Sequence, residues 1–193
     1  MDENLRQILL GGQSFSWREV DNGVFSAALN GKVYTVSSID DARQDEFLSS
    51  YFDMGYDYDK ARLEISKKDP ILKEAVEKVG PIRILRQDPW TTTVSFILSQ
   101  NNNIKRITGL YNKISEKYGH MIEPGWYSFP SADDMRDLTE NDLRALGVGF
   151  RAPFIIDAIK NSKLLDEIPS LDFDSAMERL ETIKGIGPKV ASC

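Results

Sequence analysis

The chain has 193 residues, 24 Lys and Arg against 30 Asp and Glu, a formal net charge of −6 and a hydrophobic fraction of 41%. That composition excludes a disordered or fibrous polypeptide. No stretch approaches the ~20 apolar residues of a membrane span, and the one cysteine, Cys193, excludes an intrachain disulfide. An acidic balance also weighs against a polyanion binder, yet residues 81–120 carry six basic and two acidic side chains, a local net of +4 between flanks of −5 each.

The first forty residues read as antiparallel β-structure. Phe15 to Val20 and Val24 to Leu29 alternate apolar and polar side chains around the turn signal Asp21-Asn22-Gly23. Asn30-Gly31 is a hairpin signal, since both residues accept positive φ, and Lys32 to Ser37 supplies a third strand. From about residue 40 the pattern turns helical. Asp69-Pro70 and Asp88-Pro89 each set an N-cap acid before a proline at the first helical position, opening helices over 71–79 and 90–100. A third helix is expected over 104–118, with Ile107, Leu110, Tyr111 and Ile114 on one face. Ser131 and Thr139 read as caps of two short helices, 150–162 as a further helix, and Asp174 as the cap of 175–183. The fold class expected is α+β, with a β-rich N-terminal domain over 1–82 and a mostly helical domain over 83–193.

The segment Leu180 to Ala191 reads as two helices joined by a tight hairpin. Gly185 and Gly187 flank an apolar Ile186 that can tuck between them, and Val190 and Ala191 begin the second helix. Unpaired N–H groups and the positive dipole end at that start suit a backbone phosphate, bound without base specificity. Lys189 follows the hairpin. An ordinary surface lysine fits the position. So does an amine nucleophile, if partial desolvation and nearby dipoles lowered its pKa enough to let it attack a sugar carbon and form a Schiff base.

Five strings in collinear order sharpen this. They are Gly12-Gln13-Ser14-Phe15-Ser16-Trp17-Arg18-Glu19, Leu85-Arg86-Gln87-Asp88-Pro89, Ser99-Gln100-Asn101-Asn102-Asn103-Ile104-Lys105-Arg106-Ile107, Leu146-Gly147-Val148-Gly149-Phe150-Arg151-Ala152 and Gly185 to Cys193. With them the sequence resembles the 8-oxoguanine DNA glycosylase/AP lyases of the helix-hairpin-helix superfamily over nearly its whole length. The resemblance implies base-excision repair of 8-oxoguanine paired with cytosine, followed by strand nicking.

By the same resemblance, Lys189 is the nucleophile. Gly12 offers its carbonyl to the N7–H that distinguishes 8-oxoguanine from guanine, whose N7 is an acceptor. Cys193 stacks on the flipped base, and Phe15 lies with the substrate-binding residues, although its alternation also suits a core position. Asn101, Arg106 and Arg151 read the orphaned cytosine. Phe150 wedges into the duplex, and Gly185 and Gly187 hold phosphate. Backbone carbonyls at Glu181, Ile183 and Ile186 are a candidate site for a structural monovalent or divalent cation, and no cofactor is required. Asn101 to Asn103 also suits a plain helix-terminating loop, and Cys193 a buried thiol.

The expected partner is double-stranded DNA containing 8-oxoguanine, met by a monomer in an intracellular compartment (cytoplasm or nucleoid in a bacterium) with no membrane association. Family members continue past the cysteine with an aspartate that assists the nucleophile and a helix that closes the base pocket. The helical domain is therefore expected to be incomplete at Cys193. Two alternatives stand beside the glycosylase/lyase: a catalytically inactive DNA-binding fragment of such an enzyme, and a related glycosylase acting on alkylated or mispaired bases.

Overall fold

A computed structural model describes residues 5–193, so the acidic start Met1–Asn4 lies outside the described residues. The elements run α1 (Leu5–Leu10), β1 (Trp17–Asp21), β2 (Val24–Leu29), β3 (Lys32–Val36), α2 (Glu46–Tyr51), α3 (Tyr58–Lys68), α4 (Pro70–Val79), α5 (Pro89–Ser99) and α6 (Ile104–Tyr118). They continue with β4 (Met121–Glu123), β5 (Trp126–Tyr127), α7 (Glu140–Ala145), α8 (Ala152–Lys160), α9 (Ser162–Leu165), α10 (Phe173–Glu181) and α11 (Pro188–Ala191). Short 3₁₀ turns occupy Ile39–Gln44, Gly149–Arg151 and Ile168–Ser170. The α+β class holds.

The chain divides into two compact units. The first runs through Ala27 and resumes over Tyr34–Gln87. The second comprises Asp88–Cys193 together with Ala28–Val33, the tip of the β2–β3 hairpin.

The three-stranded sheet has the order β1-β2-β3, with Trp17 opposite Ala27 and Glu19 opposite Phe25. Asn30 and Gly31 adopt φ of 46° and 74°, as the hairpin signal requires. In the first unit Trp17 is buried against Tyr51 and Phe52, with ring centroids 6.2 and 6.0 Å away. Its indole N–H donates to the Tyr51 hydroxyl at 3.1 Å, and that hydroxyl donates to Ser14 Oγ at 3.3 Å. Burial pushes the Tyr51 phenol above its ordinary pKa.

Two features correct the all-β expectation for this region. Leu5, Ile8 and Leu9 form the buried face of α1, an i, i+3, i+4 pattern. The first strand begins at Trp17 and not at Phe15, because the Ser14 and Ser16 hydroxyls bond each other at 2.9 Å and hold the preceding segment in a bend.

In the second unit, α5 buries Val94, Ile97 and Leu98, and α6 buries Ile107, Leu110, Tyr111 and Ile114, the face the sequence indicates. The Asp-Pro starts hold: Asp69 accepts from the Ile71 N–H at 2.6 Å, and Asp88 from the Thr91 N–H at 2.7 Å. Such caps contribute about 1 kcal/mol each. Thr139 caps α7 in a reciprocal box with Asp142.

Other starts differ from expectation. Ser131 closes the same kind of box with Asp134, but turns follow it and no regular helix. The helix expected over 150–162 is a 3₁₀ turn, then α8, then α9 after Asn161. The cap of α10 is Asp172, which accepts from the Ser175 N–H at 3.0 Å, while Asp174 lies in the first turn. The small β4–β5 hairpin has no counterpart in the sequence reading; with strands this short, alternation carries no signal. No described helix is long and apolar enough to cross a membrane.

Candidate nucleic-acid interface

Gly12 and Phe15 belong to the first unit, and the other expected site residues to the second. Gly12 is half-buried and Phe15 buried. Their segment is held by Gln13, which sequence reasoning left without a role. Its side chain donates to the Arg83 carbonyl at 2.8 Å and accepts from the Leu85 N–H at 3.0 Å. Its own carbonyl accepts from Gln87 Nε2 at 2.6 Å. The amide thus completes one rung of backbone pairing with residues 83–85 and fixes the peptide that follows Gly12.

In the second unit Asn101, Arg106, Phe150 and Arg151 come together. Asn101 follows the end of α5 with φ of 48° and is exposed. Asn103 caps α6 by accepting from the Arg106 N–H at 3.0 Å. The Arg106 guanidinium reaches the Gly147 carbonyl at 3.2 Å, so the first turn of α6 meets the loop before α8.

Arg151 is 2% exposed and donates to backbone carbonyls throughout. Its Nε reaches Gln100 at 2.9 Å, and its terminal nitrogens reach Val148 and Asn101 at 3.1 Å each, with a further bond to Gln100. Its guanidinium also stacks at 4.4 Å over the ring of Phe150, which is 49% exposed. Burial, and then the neighbouring Arg106 charge, push the Arg151 pKa down.

Arg151 is thus held by backbone carbonyls beneath the exposed Phe150 ring. In this structure it ties the loop after α5 to the loop before α8, while Asn101, Arg106 and Phe150 present exposed surface. Neither guanidinium has a carboxylate partner among the described residues. Two adjacent cations beside an exposed aromatic ring and an amide side chain suit a base edge and a phosphodiester.

The hairpin forms as expected. Ile183 and Ile186 are buried, and the Ile186 N–H donates to the Ile183 carbonyl at 3.0 Å. Gly185 has φ of 86°, and a Cβ there would lie 2.6 and 2.8 Å from Cδ2 and Cδ1 of Phe154, so packing and backbone both select glycine. Gly187 is the N-cap of the four-residue α11.

Two polar contacts hold this turn. The Lys184 N–H donates to Asp157 Oδ2 at 2.8 Å, and Gln100 Nε2 donates to the Gly185 carbonyl at 2.9 Å. Neither partner was anticipated. Gln100 lies inside the SQNNN string, but Asp157 carries no sequence signal of this contact.

Lys189, the second residue of α11, is exposed, so the expected partial desolvation of its amine is not found. Cys193 is exposed as well, not buried, and its thiol donates to the Lys189 carbonyl at 3.2 Å. Of the three carbonyls considered for a cation, that of Ile183 already accepts the Ile186 N–H. No cluster of three or more His, Cys, Asp or Glu suits a metal among the described residues. A cation here would rest on carbonyl oxygens alone, which suits a weakly bound hard ion.

Comparison with known proteins places these features in a family. Residues 2–92 match the model described as 8-oxoguanine DNA glycosylase, N-terminal domain, and residues 94–170 that of the HhH-GPD superfamily base excision DNA repair protein. The N-glycosylase/DNA lyase of Saccharomyces cerevisiae is 37% identical over 141 residues, spanning 62% of this chain and 38% of the yeast protein. The match thus spans well under half of that relative. The apo crystal structure of Clostridium acetobutylicum 8-oxoguanine glycosylase/lyase superposes with a TM-score of 0.88 at 35% identity, covering 98% of this chain and 72% of that one. The same clostridial protein in complex with dsDNA containing cytosine opposite 8-oxoG superposes with a TM-score of 0.88 at 34% identity.

Proposed function

Because this chain belongs to the 8-oxoguanine DNA glycosylases of the HhH-GPD superfamily, we propose that it carries the lesion-excising machinery of a bifunctional glycosylase/AP lyase acting on 8-oxoguanine opposite cytosine. The observation that supports this most is the cluster of Asn101, Arg106, Phe150 and Arg151, two cations without carboxylate partners beside an exposed ring, on the unit that carries Lys189.

In this proposal Phe150 fills the gap in the duplex left by the flipped nucleotide, and Asn101 and Arg106 engage the cytosine left behind. Amide and guanidinium together match the donor amine and the acceptor edge of cytosine. Gly12 accepts from the lesion's N7–H, and guanine is rejected because its N7 lone pair would face that carbonyl.

The Lys189 amine, in its neutral form, attacks C1′ of the damaged nucleotide. The C1′–N9 bond breaks, its electron pair leaves with the base, and the base takes up a proton. The C1′ amine loses a proton and opens the sugar ring to an imine as O4′ is protonated. Loss of a C2′ proton then expels the 3′-phosphate and nicks the strand. The partner is double-stranded DNA, engaged by a monomer.

Borohydride reduction on an 8-oxoguanine:C duplex traps the imine. The expected result is a covalent protein–DNA adduct that Lys189→Gln abolishes. An adduct of equal yield in Lys189→Gln, or no excision by the parent protein, overturns the assignment. Duplex binding without any adduct selects the inactive DNA-binding alternative.

A further inference from the structure

Gln100 holds a position that the chemistry above does not use. It ends α5, one residue before Asn101, and is half-buried. Its side-chain amide donates to the Gly185 carbonyl of the hairpin at 2.9 Å, and its main-chain carbonyl accepts the Arg151 Nε at 2.9 Å along with a terminal nitrogen of the same guanidinium. One residue therefore touches the turn that precedes Lys189, the guanidinium beneath Phe150 and, through its own peptide, Asn101.

Resting on the function proposed above, we infer that Gln100 is a positioning residue that makes excision by Lys189 depend on the base opposite the lesion. The hairpin end of the link is stiff. Gly185 is confined by its positive φ and by the Phe154 ring, and Lys184 is pinned to Asp157, so the Gly185 carbonyl has one direction. The other end is poised to respond. The Arg151 guanidinium is committed to the carbonyls of Gln100, Asn101 and Val148, and it lies beside a second cation. A base with acceptors on its exposed edge, as cytosine has, draws on that charge and on Asn101. Adenine, whose exposed edge offers a single acceptor beside its amine where cytosine offers two, draws on them less.

Any shift of Arg151 or Asn101 moves the Gln100 peptide, because both carbonyls are ligands of one planar group. The Gln100 amide carries that movement to a hairpin with little freedom to absorb it. The correct opposite base thus sets the hairpin four residues upstream of Lys189, while a wrong one leaves it out of register. Removing the amide donor cuts the link without touching either end.

The test is single-turnover excision from 8-oxoguanine:C and 8-oxoguanine:A duplexes by the parent protein, Gln100→Met and Asp157→Ala, with duplex affinity and melting temperature measured alongside. Met keeps the length of Gln and removes the donor. In Gln100→Met, excision opposite cytosine is expected to fall about tenfold, the worth of one hydrogen bond, and opposite adenine by less than about twofold. Affinity for the cytosine duplex should stay within about twofold. Asp157→Ala loosens the hairpin from the other side and is expected to slow both substrates alike.

Gln100→Glu offers an acceptor to a carbonyl and should reproduce the Met pattern, so an unstable Met variant leaves the idea testable. Equal losses on both duplexes in the Gln100 variants, or unchanged selectivity, overturn the inference while the glycosylase assignment stands. A parent protein that excises nothing overturns both, and one that excises opposite both bases equally removes the selectivity Gln100 is said to transmit.

Discussion

Substituting Gly185 by alanine tests the hairpin geometry directly. Its φ of 86° puts an L-residue in strained backbone, which costs about 1–2 kcal/mol. The new methyl would also sit inside the Phe154 ring, within 2.8 Å of three ring carbons, and such overpacking typically costs about 1–3 kcal/mol. The sum, about 2–5 kcal/mol, corresponds to roughly a 5–15 °C fall in melting temperature for a chain of this size. Gly187, two residues on, is the internal control. It has φ of −108°, and an added Cβ meets nothing within 4 Å, so Gly187→Ala loses only the preference for glycine at an N-cap, about 1 kcal/mol or less. Thermal or urea denaturation of the two variants measures the contrast, and a Gly185→Ala/Phe154→Ala pair divides it. Removing the ring should recover the packing share and leave the backbone share, so the double substitution costs less than the two singles added. Equal losses at 185 and 187, or strict additivity with Phe154→Ala, would refute the claim that backbone and ring together select glycine.

Other perturbations probe the rest of the scaffold. Tyr51→Phe strips the buried Trp17 indole of its acceptor and Ser14 of its donor, and should lower the unfolding free energy by about 1–2 kcal/mol in urea titration. An unchanged midpoint would mean that these groups find other partners. Gln13→Ala exposes the Arg83 carbonyl and the Leu85 N–H, so the Leu85 amide should exchange its hydrogen much faster while amides of α5 and α6 keep their protection; uniform protection would place the anchor elsewhere. Asp134 is held below its ordinary value of 3.8, first by the Ser131 hydroxyl and then by the Ser131 N–H. A depressed folded pKa contributes stability above the unfolded value and loses it as pH falls through the folded one, so acid should destabilise the protein from about pH 5 downward. Asp134→Asn should flatten that slope while lowering stability near neutrality, and an unaltered acid limb would show that the carboxylate is not held this way.

The sequence made legible what is local. Asp69-Pro70, Asp88-Pro89 and Asn30-Gly31 act through neighbours one to three residues away, and the structure has the caps and the turn where they were expected. The face of α6 and the burial of Ile186 follow from periodicity and from the size of the turn. What was not legible depends on distant partners. The carbonyls that hold the Arg151 guanidinium include two that lie fifty residues away, Gln13 reaches across more than seventy, and Gln100 finds the hairpin eighty-five residues on. The motif strings contain Gln13 and Gln100 without indicating that their amides stand in for backbone. Arg151 shows the same limit: the sequence sets it beside Phe150 and carries no sign of the converging carbonyls that bury it.

Charge deserves the same distinction between total and place. A net of −6 opposes a polyanion, and the +4 of residues 81–120 only partly answers it. In the first unit, Arg83 is buried against the carbonyls of Phe52 and Asp53, and Arg86 pairs with the Asp53 carboxylate at 2.7 Å, so those two charges serve the fold. The remaining four, Lys105, Arg106, Lys113 and Lys117, all lie on α6; the first two stand in its opening turn, and the Arg106 charge acts on Arg151. Cations at a helix N-terminus oppose the macrodipole, which favours acids there. Asn103 supplies the cap in place of an acid, so the start of α6 is positive in side chain and in backbone alike. That arrangement gives up helix stability. What it supplies is a positive field at the loop where the proposed chemistry requires a phosphodiester and an unpaired base to be held.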